Sequence, residues 1–298
     1  MAKAKPNDSA KQKEPKTLQK VKTGITGFEE ISFGGLPRGR TTLISGSSGS
    51  GKTIFACQFL VEGIRQFNEN GIFVTFEENM HDLTSNVMSF GWDITGYENN
   101  HQWRYVDASL PFESETRVVG DFDLSALILR IEAAMKEIKA KRIVLDSIGS
   151  LFHHFQDPSL IRRELLKIIS FLKRKNVVTI ITSERLEEYG LVSRFGVEEY
   201  ITDNVVILRN VLEQEKRRRT IEILKYRGSQ HSAGEQSFVI DPEDGVVIIP
   251  LTRLQLTQRS HENRVTSGNQ HLDEMCCGGF FKDSIVLISG ATGTGKTL

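Results

Sequence analysis

The sequence predicts an α/β fold in which a mostly parallel central sheet is flanked by helices and carries an antiparallel extension on its C-terminal side. Three observations predict it. Over roughly the first two hundred residues, short apolar segments alternate with amphipathic helical ones, the pattern of parallel strands covered on both faces. After Asn204 the alternation stops, and apolar strands follow one another through turns. Between the first long apolar strand and the first long helix stands GSSGSGKT, Gly46 to Thr53, which fits the phosphate-loop pattern G-x-x-x-x-G-K-[ST].

The elements follow in order. Residues 1–20 are Lys-rich and poor in apolar side chains, and read as a flexible tail. Gly27 to Ser32 is helix-like, Gly34-Gly35 turns the chain, and Thr41 to Ser45 is a strand. Ile54 to Gln66 repeats apolar residues at helical spacing until Asn70-Gly71 breaks it. Ile72 to Phe76 is a strand, Met80 to Phe90 a helix, and Trp103 to Ala108 a strand. Asp123 to Lys139 is helical, Arg142 to Asp146 a strand, Ser159 to Lys173 a helix, and Asn176 to Thr182 a strand. Val205 to Val211, Thr220 to Lys225, Ser237 to Ile240 and Val246 to Ile249 form the antiparallel extension.

Composition bounds the function. The 298 residues make one large domain or about two ordinary ones. Lys+Arg and Asp+Glu both number 38, so the formal charge is zero. That excludes nucleic-acid binding by bulk charge and an acidic tail protein, and leaves room only for a local basic patch. A 39% hydrophobic content is enough for a sizeable core. Cys57, Cys276 and Cys277 make no disulfide framework and fit a reducing compartment. The opening MAKAKPNDSAKQKEPK has no apolar leader, and no apolar run approaches the ~20 residues of a membrane helix. The chain is expected to be soluble and cytoplasmic.

One internal repeat organises the chain. EISFGGLPRGRTTLISGSSGSGKT, Glu30 to Thr53, returns as EMCCGGFFKDSIVLISGATGTGKT, Glu274 to Thr297. Residues 21–250 therefore read as one domain and 251–270, with Gln258-Arg259-Ser260, as a linker. Residues 271–298 read as the start of a second copy, which breaks off one residue after its loop.

The loop carries the chemistry. Its glycines let successive N–H groups curl round an anion, and the following helix adds its positive end. Lys52 can reach β- and γ-phosphate oxygens, and the Thr53 hydroxyl can ligate Mg²⁺. Asp146 ends an apolar strand and is placed to hold Mg²⁺ through its waters. Glu77 and Glu78 end the next strand after the loop helix, where a carboxylate faces the ligand crevice of a parallel sheet. Glu77 reads as the base that polarises water, with Glu78 in support. Thr182-Ser183-Glu184 ends a further strand as a candidate γ-phosphate sensor. Lys216-Arg217-Arg218-Arg219, with Lys225, Arg227 and His231, reads as one basic cluster. It is a solvated hairpin face, a nucleic-acid patch, or a donor of cations to a neighbouring subunit's nucleotide. His153-His154 and Cys276-Cys277 lack partners at zinc spacing and read as structural. Trp92 and Trp103 read as core.

The sequence resembles the KaiC family of clock ATPase/kinases in the RecA-like superfamily. The segments responsible include GFEEISFGGLPRGR, GSSGSGKT, FVTFEEN, SFGWD, ERLEEYG, GVEEYITDNVVILRNVLE and RRRTIEILKYRGSQH. The resemblance covers nearly the whole chain after Val21 and implies a RecA-like fold, an Mg-dependent ATPase and ATP bound at the subunit interfaces of a homohexamer. It implies phosphate contacts at Gly46, Gly49, Ser50, Gly51, Lys52, Thr53 and Ile54, with Ser89 near the nucleotide and Glu77 and Glu78 as the catalytic pair. Thr53 and Asp146 would hold the metal. Lys225, Tyr226, Arg227, Ser229 and His231 match the segment that contacts ATP from the adjacent protomer, which favours the third reading of the basic cluster. Asp241 falls near another contact, where the local sequence departs from the family.

Clock proteins of the Kai type are the implied partners, with neither membrane nor nucleic acid among them. The repeat would place a second, incomplete loop at Gly290, Thr292, Gly293, Thr294, Gly295, Lys296, Thr297 and Leu298. Serine/threonine autophosphorylation is expected of the complete protein and not of this chain, which lacks most of a second domain. The alternative is a RecA-like ATPase that works on DNA, distinguished by stimulation of turnover with single-stranded DNA; a nucleotide-dependent scaffold without turnover is a third reading.

Overall fold

The computed structural model describes residues 18–109, 124–154, 158–194, 196, 198–250 and 262–295. Most of the expected tail and the first part of the expected linker, with Gln258-Arg259-Ser260, lie outside them, as do Lys296, Thr297 and Leu298. The chain divides into two compact units, 1–251 and 252–298.

In the larger unit β1 (Lys20–Val21) and β2 (Leu36–Pro37) pair across α1 (Phe28–Ile31). Then come β3 (Thr41–Gly46), α2 (Lys52–Phe67), β4 (Gly71–Thr75), α3 (Met80–Met88), α4 (Ile94–Asn99) and β5 (Trp103–Asp107). They are followed by α5 (Ser125–Ile138), β6 (Arg142–Asp146), α6 (Gly149–His154), α7 (Pro158–Arg174), β7 (Val178–Glu184) and α8 (Glu198–Ile201). The unit ends with β8 (Asn204–Glu213), β9 (Lys216–Tyr226), β10 (Gln236–Asp241) and β11 (Gly245–Ile249).

The nine strands form one sheet in the order β11-β10-β9-β8-β3-β7-β6-β4-β5. From β8 to β5 every pairing is parallel, while β9, β10 and β11 add antiparallel, as the pattern change after Asn204 predicts. Both faces are covered. Phe55, Phe59 and Leu60 of α2 pack one face with Phe28, Ile31, Leu83 and Val87. On the other, Leu127 and Ile131 of α5 meet Ile161, Leu165, Ile168 and Leu172 of α7. Trp92 and Trp103 are core residues, stacked on Phe90 and Phe73 at 4.9 and 6.0 Å. No helix among the described residues is long and apolar enough to cross a membrane.

Three boundaries differ from expectation for physical reasons. The loop helix begins at Lys52 rather than Ile54, because Gly51, at φ 95°, is its N-cap and the loop lysine is already helical. β7 runs to Glu184, since its parallel register with β3 continues to the pair Gly46 and Glu184. β9 begins at Lys216, so the basic run is strand and not turn.

Arg142 anchors the sheet to the loop helix. Its fully buried guanidinium donates to Glu69 Oε2 at 2.9 Å, and to the carbonyls of Lys22, Thr23 and Phe59 at 2.7, 3.1 and 2.8 Å. It lies 4.6 Å from the ring centre of Phe59 and 5.1 Å from that of Phe67. Gly63 leaves it room, for a Cβ there would stand 2.6 Å from Arg142 Cδ.

The smaller unit contains β12 (Arg264–Val265), α9 (Gln270–Met275) and β13 (Phe280–Phe281). It repeats the start of the larger one in detail. The Thr23 amide donates to a Glu29 carboxylate oxygen as the Ser267 amide does to Asp273. Gly34 and Gly35 sit at φ 114° and 101°, and Gly278 and Gly279 at 109° and 100°.

Truncation of Arg142 leaves three carbonyls without their donor and the half-buried Glu69 carboxylate with Arg38 alone, at 3.3 Å. Arg142→Ala is expected to lower unfolding free energy by about 3–5 kcal/mol, read from urea denaturation; a loss under about 1 kcal/mol would show that the anchor is dispensable.

Candidate functional site

The loop leaves the C-terminal end of β3, between β7 and β8, where parallel sheets take their ligands. Gly49 and Gly51 adopt φ 73° and 95°, in the left-handed region glycine favours, and the Ser50 amide turns back onto Ser47 O at 3.3 Å. The described part of the second loop repeats this geometry. Gly293 and Gly295 sit at φ 86° and 78°, and the Thr294 amide reaches Ala291 O at 3.4 Å.

Lys52, the first residue of α2, folds back so that its ammonium donates to Ser47 O at 2.9 Å. Burial lowers its pKa, and the carboxylates of Glu184, Asp146, Glu77 and Glu188 oppose that shift. Four acidic groups from three segments thus face one lysine.

Asp146 is buried at the end of β6 with both carboxylate oxygens engaged. Thr53 Oγ1 donates to Oδ2 at 3.0 Å, and Thr182 Oγ1 donates to Oδ1. Burial raises its pKa, against these two hydrogen bonds and the charge of Lys52. The peptide bond from Asp146 to Ser147 is cis. Thr53 and Asp146 therefore present hard oxygen donors at one point, the set a magnesium ion shared with a triphosphate requires. Among the described residues no three His, Cys, Asp or Glu side chains gather into a closed metal site. Cys57, one turn further along α2, is buried with its thiol pKa pushed well up by burial.

Glu77 and Glu78 follow β4, their amides donating to Thr75 Oγ1 at 3.3 and 3.0 Å. The two side chains part. Glu78 Oε1 accepts from Asn86 Nδ2 of α3, and Tyr105 Oη donates to the Glu78 carbonyl. Glu77 is exposed towards the cluster; partial desolvation raises its pKa first, then the charges of Glu184 and Asp146, while Lys52 opposes them.

Thr182 does not stand at the rim as a phosphate sensor. It is fully buried and its hydroxyl is committed to Asp146, so its part is to hold that carboxylate. Glu184 is the member of its triplet beside the loop, paired with Gly46 across the strands. Two further residues shape the loop and were not visible in the sequence. Glu188 accepts from Ser47 Oγ at 2.5 Å and from the Asn210 amide at 3.0 Å, and Asn210 Nδ2 donates to Gly49 O at 3.4 Å. Nothing in spacing marks them, because a loop and a central strand bring them together only in the fold.

The basic residues do not form one cluster. They lie at opposite ends of β9. The register pairs Arg219 with Asn210, at the loop end of the sheet, and Tyr226 with Asn204, which in turn pairs with Thr42. Lys225 through His231 thus stand at the far end of β3 from the loop, roughly 13 Å or more away at about 3.3 Å per residue. They cannot reach the loop of their own chain. Lys225 Nζ donates to the carbonyls of Glu199 and Thr202 at 2.8 and 2.7 Å, and Arg227 lies 3.9 Å from Asp203. Tyr226 is buried, its hydroxyl on Gly35 O, so its side chain faces the core rather than a ligand. His231 packs edge-on against Tyr226, and the Ser229 hydroxyl donates to Gln230 O at 3.0 Å.

Ser89 caps α3 and is exposed. Ile54 packs on the first core face. Ile240 Cδ1 would stand 3.0 Å from a Cβ at Gly51, which places the neighbouring Asp241 close to the loop of the same chain; its carboxylate accepts the Glu243 and Asp244 amides at 2.8 and 3.1 Å.

Known proteins carry the same arrangement of sequence. A family model described as the KaiC ATPase matches residues 21–253. The circadian clock protein KaiC3 of Synechocystis is 56% identical over 94% of this chain and 55% of its own length. The circadian clock oscillator protein KaiC of Parathermosynechococcus lividus is 55% identical over 98% of this chain and 53% of its own. That of Synechococcus elongatus is 52% identical over 98% and 56%. The chain spans about half the length of the curated relatives it matches.

The crowded carboxylates make a stability prediction. Glu77 has a higher pKa folded than unfolded, so its charge penalises folding above that range and not below it. Glu77→Gln is expected to raise the Tm of the ligand-free protein at pH 8, and the gain should vanish as the solution is acidified through the carboxyl range. An unchanged or lower Tm at pH 8 would place Glu77 outside the repulsive cluster.

Proposed function

We propose, from the premise that this chain belongs to the KaiC family of ATPases, that it binds MgATP on residues 46–54 and hydrolyses it slowly. The observation that carries this reading is the convergence of Lys52, Thr53 and Asp146 at the end of β3, with Glu77 facing them. Lys52 leaves the Ser47 carbonyl for the β- and γ-phosphate oxygens, and the amides of Gly49 to Ile54 supply the rest of the cradle. Thr53 and Asp146 would hold Mg²⁺, which when bound neutralises charge on the phosphates. Glu77 accepts a proton from the attacking water at a carboxylate oxygen, favoured in this by its raised pKa. Glu78, held by Asn86, fixes the strand end that carries Glu77. Ser89 and Asp241 flank the rest of the nucleotide.

The site is completed by a second copy. Lys225, Tyr226, Arg227, Ser229 and His231 of one protomer close over the nucleotide of the next. Their place at the far end of the sheet suits that role, because they are unable to serve their own loop. Repetition of this contact builds a closed homohexameric ring. For the whole protein, of which the curated relatives show roughly twice this length, we propose serine/threonine autokinase activity, Kai-type clock partners and a cytoplasmic location. A DNA-driven motor is the competing reading, and neither the family match nor the named relatives favour it.

Three measurements test the function. Lys52→Ala should abolish MgATP binding and nucleotide-dependent ring assembly; retained binding would refute the loop assignment. Glu77→Gln should bind ATP but lose about 100-fold or more in turnover, whereas unchanged phosphate release would leave a scaffold. Arg227→Ala should slow hydrolysis, and mixing it with Glu77→Gln protomers should restore part of the rate through mixed interfaces that hold both intact groups. No recovery, or stimulation by single-stranded DNA, would overturn the shared-site clock ATPase.

A further inference from the structure

Glu198 has no part in the mechanism above, yet it is a fully buried carboxylate at the start of α8. A buried charge requires hydrogen bonds. Ser183 Oγ donates to Oε1 at 2.8 Å and Ser193 Oγ donates to Oε2 at 2.7 Å. Ser183 is the residue of β7 directly after Thr182, which holds Asp146, and its strand partner is Ser45 next to the loop. The head of α8 is therefore bonded to the strand end of the protomer's own nucleotide site.

The other end of α8 holds the lysine that faces away. The last carbonyls of a helix lack partners of their own and attract cations. The carbonyls of Glu199, within α8, and of Thr202, just beyond it, both accept from Lys225 Nζ, at 2.8 and 2.7 Å. The route from Asp146 to Lys225 thus runs by side-chain hydrogen bonds from Thr182 to Asp146 and from Ser183 to Glu198, and by the backbone from Thr182 to Ser183 and along the turn from Glu198 to Thr202, whose amide donates to Glu198 O at 3.2 Å.

We propose that Glu198 is a positioning residue that sets Lys225 for the neighbouring protomer's nucleotide according to the state of its own β7 end. This rests on the shared-site reading of Lys225. It makes adjacent sites in the ring communicate through α8.

The test is a double-mutant cycle on the full chain at saturating MgATP, comparing Glu198→Ala, Lys225→Ala and the double variant by kcat. Each single variant should lose about tenfold, the cost of losing or misplacing a cation at the phosphates. The double variant should fall no more than about twofold below Lys225→Ala, because both changes break one path. A purely structural glutamate would instead give losses that multiply, and that outcome overturns the proposal. So does an unaffected Glu198→Ala beside a slowed Lys225→Ala, which leaves the shared site standing. An unaffected Lys225→Ala sinks the shared site and this inference together. Should Glu198→Ala lose its cooperative melt, Ser183→Ala removes one of the two bonds alone. It should then lose about fivefold in kcat, again without multiplying the loss of Lys225→Ala.

Discussion

The carboxylate of Asp146 is the fixed point of the molecule's chemistry. It is buried, and Thr53 and Thr182 secure it from two directions. Thr53 belongs to the loop helix and Thr182 to the strand on the other side of the loop. One carboxylate therefore locks α2, β6 and β7 into a single frame at the point where a metal would sit. The neighbouring acids Glu77, Glu184 and Glu188 crowd one lysine beside that frame. The site is thus a negative pocket around one lysine that is held on the Ser47 carbonyl.

The parts of the fold written in local pattern were legible in the sequence. Parallel strands such as Ile143 to Leu145 are apolar on both faces and cannot be read as anything polar or exposed. The loop was legible because its glycines and lysine satisfy backbone geometry that few other sequences can. The positions of Lys52, Thr53, Asp146 and Glu77 in the fold were legible for the same reason, since each sits at a strand or helix end that the pattern locates. What escaped was everything fixed by register. Glu188 and Asn210 meet Ser47 and Gly49 only because β3 lies between β7 and β8, an order that no spacing reveals. The short helices α4, α6 and α8 escaped because four to six residues carry too little periodicity.

The basic run shows how a linear reading misleads. Lys216 to His231 looks like one patch because its members are close in sequence. An extended strand separates what a helix would gather. The two ends of β9 answer to different neighbours, one beside the chain's own loop and the other at the opposite side of the sheet. Each end of the strand needs its own functional reading once that distance is known.

The extent of β9 carries a consequence for how such a chain can vary. Along it, Tyr226 faces inward to Gly35 while Lys225 faces α8, and beyond the bulge at Leu224 the assignment switches, so that Ile223 and Ile221 face the core. Deleting or inserting one residue would exchange every inward side chain for an outward one. The register of β8 with β9 passes from Val205 and Lys225 to Val206 and Ile223, so the unpaired Leu224 is one extra residue that β9 already tolerates. Length changes during divergence should be confined to the hairpin at Gln214 and Glu215, whose backbones already adopt φ 45° and 66°. The strand body acts as a ruler that evolution can re-letter but not re-cut.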